Sequence, residues 1–216
     1  MITMLGRHND FLKWYRASFV TLLFVLWSAR VNGQTFPFDL WHDGKMVLET
    51  GDTIKGSMKY DLQDMLQIKH NNRLESFTAR KVVFFEIFDQ TFRRYRHFYS
   101  LPYSPSGGYK TPIFFEVLTE GKITVLAREK VEYRTYSSPF FYYGGYSSRL
   151  VLVNTYFLLK ENGTIELFSG KRNDWYDLMA NRQNEIHDYI KENQLDLDRK
   201  YDIKRVIDYY NSTFSK

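Results

Sequence analysis

The chain has 216 residues and no cysteine, which excludes disulfides, thiolate metal sites and a cysteine nucleophile. Its 30 Lys and Arg against 25 Asp and Glu give a net charge of +5, but Arg7, Lys13, Arg16 and Arg30 face only Asp10 in residues 1–33, so the remainder carries +2. That near balance excludes the concentrated basic stripe of a nucleic-acid binder. Aromatic residues make up 18% of the chain, a composition that favours strands, where such side chains pack well on a pleated surface.

Residues 1–33 have the order of a secretory leader. A basic start runs into the apolar stretch 17–29, built around Phe19-Val20-Thr21-Leu22-Leu23-Phe24-Val25-Leu26-Trp27, and the small residues Val31-Asn32-Gly33 follow. The stretch is shorter than the roughly 20 apolar residues a spanning helix needs. The expectation is cleavage near Gly33, with an uncleaved anchor as the alternative. No cysteine follows the apolar stretch, so a lipoprotein is excluded.

From residue 45 the pattern alternates. Residues 45–50 read as a short strand closed by Gly51-Asp52. Over 53–60, Ile54, Met58 and Tyr60 share one face and Thr53, Lys55, Ser57 and Lys59 the other, the mark of a half-buried antiparallel strand. Gly56 sits in the apolar row, which points to a bulge or a close backbone approach. Strands over 65–69 and 74–78 flank the turn Asn71-Asn72, with Leu66 and Ile68 inward. Residues 82–88 are apolar on both faces apart from Glu86 and read as a central strand. Residues 93–101 form another. A hairpin over 113–119 and 122–134 turns at Glu120-Gly121, with Ile123, Val125, Ala127, Val131 and Tyr133 on one face of its second arm. A last hairpin over 149–160 and 164–168 turns at Asn162-Gly163.

After Gly170 the period changes to that of helices, over 174–181, 182–192 and about 199–212. Asp198 is the expected cap of the third, and Ile203, Val206, Ile207 and Tyr210 form its apolar stripe. The fold class is therefore α+β: a predominantly antiparallel sheet, sandwich or small barrel over 34–170, then two or three C-terminal helices over 171–216 that pack on it.

Catalytic and metal motifs are absent. No zinc-binding H-E-x-x-H, nucleophile elbow, P-loop or Rossmann fingerprint occurs, and none of His42, His70, His97 and His187 has a second histidine at ligand spacing. No metal or cofactor is expected. Glu86 and Glu116 each interrupt an apolar strand and are the best candidates for a carboxylate pair, against the plainer expectation that each points to solvent. Two Gly/Pro/Ser/Tyr-rich stretches, 102–112 and 136–148, break the strand pattern and read as long loops. Tyr103 and Tyr109 on the first, and Phe140, Phe141, Tyr142, Tyr143 and Tyr146 on the second, are the candidate binding residues, because loop aromatics supply contact area at low entropy cost. The alternative is that they fold back to complete the core.

The run Gly51-Asp52-Thr53-Ile54-Lys55-Gly56, the strand Phe114-Phe115-Glu116-Val117-Leu118 with Glu120-Gly121, and the tail residues Asp188-Tyr189-Ile190-Lys191-Glu192-Asn193 and Asp208-Tyr209-Tyr210-Asn211 resemble uncharacterised exported proteins of Bacteroidota. The resemblance implies a bacterial envelope protein, in the periplasm or at the cell surface, and supplies no catalytic residues. The expected function is non-catalytic binding of a protein or glycan partner through the aromatic loops. The alternatives are a carboxylate-dependent hydrolase and a structural protein held by its N-terminal helix, which with the leader would be the only membrane contact.

Overall fold

A computed structural model describes residues 36–137 and 146–214. Ten strands follow a short 3-10 turn at Pro37–Asp39. They are β1 (His42–Leu48), β2 (Thr53–Tyr60), β3 (Met65–His70), β4 (Arg73–Thr78), β5 (Val82–Asp89), β6 (Arg94–Tyr103), β7 (Thr111–Thr119), β8 (Thr124–Ser137), β9 (Tyr146–Leu159) and β10 (Ile165–Phe168). Helices α1 (Arg172–Leu178), α2 (Gln183–Glu192) and α3 (Lys200–Ser212) close the chain, with a 3-10 turn at Ala180–Arg182. The fold is α+β: one large, curled antiparallel sheet, a half-barrel, followed by three C-terminal helices.

The sheet order is β10-β9-β8-β7-β6-β5-β1-β2-β3-β4. Neighbours in sequence pair throughout, except that β5 returns from the β4 edge to pair with β1. The Asn71-Asn72 turn is a hairpin with both residues at positive φ (48° and 59°), as a two-residue loop matched to strand twist requires. The expected close approach at Gly56 is to β3, where a Cβ would stand 2.4 Å from the Lys69 carbonyl oxygen.

The curl is visible between β7 and β8. They pair as far as Glu116↔Ala127 and then part. The β2–β3 connection, from the other half of the sheet, fills the gap. There Asp64 Oδ1 accepts the Phe114 N–H at 3.2 Å, and Arg128 Nη2 donates to the Gln63 carbonyl at 3.0 Å.

Alternation then sorts the side chains. The inner face gathers Met46, Met58, Leu66, Ile68, Phe85, Ile87, Phe98 and Phe114 into one core. Phe85 and Phe98 stack at 4.4 Å, with Phe114 edge-on to Phe85 at 4.9 Å. Further along the same face, Val125, Ala127, Tyr156 and Leu158 meet Trp175 and Met179 of α1, Ile186 and Ile190 of α2, and Ile203, Val206, Ile207 and Tyr210 of α3. The predicted stripes of α2 and α3 are thus the buried ones. Asp198 does not cap α3: the cap position is Arg199, without a side-chain bond, and the Asp202 carboxylate in the first turn turns back to accept the Asp196 N–H at 3.1 Å. The outer face holds a smaller core of Ile113, Phe115, Leu126 and Phe157.

One contact locks α3 to the β7–β8 turn. The buried Asn211 amide donates to the Ile123 carbonyl and accepts from the Ile123 N–H, both at 2.8 Å. Gly121, at φ 151°, leaves the room this needs, since a Cβ there would stand 2.7 Å from the Asn211 side chain.

Candidate functional site

Two constellations stand out: a buried ionic cluster beneath α3 and a projecting arm made by β8 and β9.

The cluster comes from the inner row of four adjacent strands. Register places Arg96 opposite Ile87, Glu116 opposite Phe98, and Ala127 opposite Glu116. Asp89, Arg96, Glu116 and Glu129 therefore share the face that buries Phe85, Phe98 and Ala127. Lys200 comes down onto them from the first turn of α3, one turn before Ile203. None of the five is more than 7% exposed. Removing an ion from water costs several kcal/mol even after relaxation, so such a group persists only with its hydrogen bonds satisfied.

They are satisfied. Arg96 grips Glu116 side-on, Nε to Oε1 at 3.0 Å and Nη2 to Oε2 at 2.6 Å. Its Nη2 also reaches Glu129 at 2.8 Å, and its Nη1 reaches Asp89 at 3.3 Å. Lys200 Nζ donates to Glu116 Oε2 at 2.9 Å and to Glu129 Oε1. The other Asp89 oxygen accepts the N–H groups of Thr91 (2.9 Å) and Phe92 (3.2 Å). Burial alone would raise the pKa of Glu116, but the charges of Arg96 and Lys200 overcome it and lower it to about 2. Burial works against the charge on Arg96 and Lys200 too. The carboxylates prevail, Glu116 foremost, and hold both pKa values above their ordinary ones. Tyr201 beside them is pushed up by burial. Its hydroxyl, and Oδ1 of Asn154 opposite Glu129, are buried without a hydrogen-bond partner.

This arrangement holds charge in place and leaves no free acid or base. Glu116, expected on a solvated face, is instead buried, because β7 is covered on both sides. Glu86 is on the outer face, since it pairs with His97 and not with Arg96. It is held by Lys45 at 3.1 Å and His97 at 3.4 Å. Two carboxyls on opposite faces of a sheet cannot flank one scissile bond, so Glu86 and Glu116 do not form the pair a glycosidase needs.

Arg96, Asp89, Glu129 and Lys200 were not singled out by sequence, yet parity carries the signal. Glu129 lies in the inward row between Ala127 and Val131, and Lys200 lies three residues before Ile203 on the stripe of α3. A charged residue in an apolar row is informative only when neighbouring strands place its partner beside it, and registers are what a sequence lacks.

The aromatic loops are shorter than the sequence suggests. β6 extends to Tyr103 and β7 begins at Thr111, while β8 runs to Ser137 and β9 begins at Tyr146. Tyr103 folds back onto the outer face, edge-on to Phe115 at 5.6 Å and Phe157 at 5.4 Å. It packs half-buried against that core. Tyr109 is 88% exposed and Tyr146 is 79% exposed. Phe140, Phe141, Tyr142 and Tyr143 lie outside the described residues. Among the described residues no ring contact joins Tyr103, Tyr109 and Tyr146.

The second constellation is the arm. β8 and β9, each 14 residues long, pair without interruption from Thr124↔Leu159 to Ser137↔Tyr146. Their outer neighbours stop early: β7 pairs only to Ala127 and β10 only to Tyr156. The outer part is thus a two-stranded ribbon, the kind that is marginal in water on its own. One face continues the inner row as Val131, Tyr133, Leu150, Leu152 and Tyr146, with Thr135, Ser137 and Ser148 among them toward the tip; the other carries Lys130, Glu132, Arg134, Tyr136 and Arg149 beside Val151 and Val153. Val131 and Leu152 pack on the core, whereas Tyr133 is 76% exposed.

A groove of about 750 Å³ lies between the β7–β8 and β9–β10 turns. Its rim is bridged by Lys122 and Glu161 at 3.6 Å, and it meets β8 and β9 only at their root, at Thr124, Leu158 and Leu159. Among the described residues no group of His, Asp and Glu could hold a metal ion, and no helix is long and apolar enough to cross a membrane. No protein-family model, curated protein or solved structure matches the chain.

Proposed function

We propose that the protein is a non-catalytic, exported envelope protein that binds a protein or glycan partner through its β8–β9 arm. The observation that carries this reading is the apolar row of the arm. Val131 and Leu152 of this row pack on the inner core, Tyr133 and Leu150 carry it outward, and beyond the Thr135↔Ser148 pair Tyr146 is exposed while the strand pairing persists. Large exposed apolar rows on a monomer mark interaction surfaces, and tyrosine supplies rigid contact area with a polar tip. The leader-like residues 1–33 and the resemblance to exported Bacteroidota proteins support the envelope assignment. The paired state of every carboxylate in the buried cluster counts against the hydrolase reading.

Site-specific photo-cross-linking in the producing cell tests it. A photoreactive residue at position 133 or 146 is expected to give a discrete adduct in the envelope fraction, and one at Leu167, exposed on the short edge strand, is expected to give none. Absence of adducts at 133 and 146, together with turnover of a glycan or ester panel that Glu116→Gln abolishes without unfolding the protein, overturns the reading in favour of a hydrolase.

A further inference from the structure

We infer that the polar face of the arm carries a binding site for a phosphoryl group, formed by Arg134, Arg149 and Tyr136. The inference rests on the arm being the binding element and names the chemistry of one ligand it takes. Arg134 and Arg149 stand directly opposite each other across β8 and β9, and Tyr136 follows Arg134 on the same face. Like charges directly opposite on neighbouring strands repel, and sheets normally avoid the pairing. No carboxylate among the described residues relieves it within ion-pair distance. Glu132, the nearest acid on this face, is taken by Lys130 at 2.6 Å.

One phenol shares their face. Arg149 lies over the Tyr136 ring at 4.4 Å. The neighbouring arginines, Arg149 foremost, hold the pKa of the Tyr136 phenol below its ordinary value. Two positive charges, two donor forks and a hydroxyl therefore share one small exposed region that stays net positive, since Glu132, the acid that Arg134 also attracts, is bound to Lys130.

That set fits a tetrahedral oxyanion. A guanidinium presents parallel N–H donors at the spacing of phosphate oxygens, a geometry a lysine cannot offer. A phosphomonoester carries about −1.5 to −2 at neutral pH, which balances two guanidiniums, whereas a carboxylate would leave one of them unpaired. The shared chemistry is the phosphomonoester, whether free, on a glycan or on a lipid headgroup.

The test uses the full chain and inorganic phosphate as the probe. The Arg134 and Arg149 Nε–H resonances and the Tyr136 ring are followed by NMR, with chloride at matched ionic strength as the control. The expected result is a saturable shift confined to these residues, with the Tyr136 phenol pKa moving back up as phosphate neutralises its neighbours. The double variant R134Q/R149Q, whose side chains are exposed and whose fold is checked by its thermal transition, is expected to lose the response. Equal shifts with chloride, or an undiminished response in the double variant, overturn the proposal. A second arm compares phosphatidylcholine vesicles with and without phosphatidic acid. A gain in binding that phosphatidic acid gives to the wild type and not to the double variant assigns the phosphoryl group to a lipid, and a phosphate response without that gain assigns it to a soluble or glycan-borne phosphate. If phosphate fails while positions 133 and 146 still cross-link to a partner, the arm stands as the binding element and only the phosphoryl assignment falls.

Discussion

The two ends of the β8–β9 ribbon put charge to opposite uses. Near its root, Glu129 enters a dry cluster where Arg96 and Lys200 answer three carboxylates, bond by bond. Toward its tip, Arg134 and Arg149 face each other in water, and no carboxylate among the described residues is within ion-pair distance of either. The same pair of strands, in one unbroken register, is thus clamped to the body at one end and left unbalanced at the other. The difference lies in what covers the strands. At the root, α3 and β7 exclude water, so every charge must be compensated or the region would not form. Beyond Ala127 β7 has left, water screens the arginines, and their mutual repulsion costs little. Compensation marks the part of the protein that holds shape, and its absence marks the part free to meet something else.

Breaking the root gives the largest effect. Arg96→Ala strands Glu116, Glu129 and Asp89 in a dry site and is expected to destabilise the protein by about 3–5 kcal/mol, read by urea denaturation. The tip variant R134Q/R149Q in the same assay is expected to change stability by no more than about 0.5 kcal/mol. Comparable losses at both ends would erase the distinction.

Acid probes the root in another way. The pKa of Glu116 is lowered to about 2 from an ordinary 4.5, so its contribution to stability is fully present above the unfolded-state value and is lost as pH falls through the folded one. Stability is expected to decline between about pH 5 and pH 2 by on the order of 3 kcal/mol from this group. Glu116→Gln is expected to flatten that decline, and a slope unchanged in the variant would remove Glu116 from the account.

Lys200→Met sharpens the comparison by loosening only the lid. Arg96 still answers the carboxylates, so a loss of about 2 kcal/mol is expected. It should appear in hydrogen exchange as faster opening of α3, with the β5–β6 amides unaffected. Uniform acceleration across the sheet would mean that the lysine supports the whole core and not the docking of one helix.

The smallest stability effect belongs to the arm. Tyr133→Ala and Tyr146→Ala are each expected to shift the unfolding midpoint within experimental scatter, about 0.5 kcal/mol or less, while reducing adduct formation from a photoreactive residue at the other position. A severe loss of stability would place these rings in the core, where Tyr103 already lies.

Much of this was legible in the chain itself. The period-two pattern over 53–60, the Asn71-Asn72 and Asn162-Gly163 turns and the 3.6-residue stripes of α2 and α3 located the elements, because local alternation and turn chemistry depend on near neighbours in sequence. For the loop tyrosines residue order left exposure and fold-back both open: Tyr109 and Tyr146 are exposed, and Tyr103 folds back because Phe157, a residue from β9, lies beside it. The cap of α3 fell to Arg199 because the first-turn carboxylate of Asp202 was drawn back to the Asp196 amide.

What residue order determined on its own was therefore the sequence of strands and helices, the faces they bury, and a leader-like start that separates most of the basic excess from the rest. Tertiary structure alone decided where charge could be kept. Whether a glutamate in an inward row is a defect or an anchor depends on which residue the adjacent strand sets beside it. Whether two arginines are held apart or forced together depends on a register fixed far away, at the turn and in the core. These are long-range pairings, and in a ten-stranded sheet each rests on the closure of all the strands between.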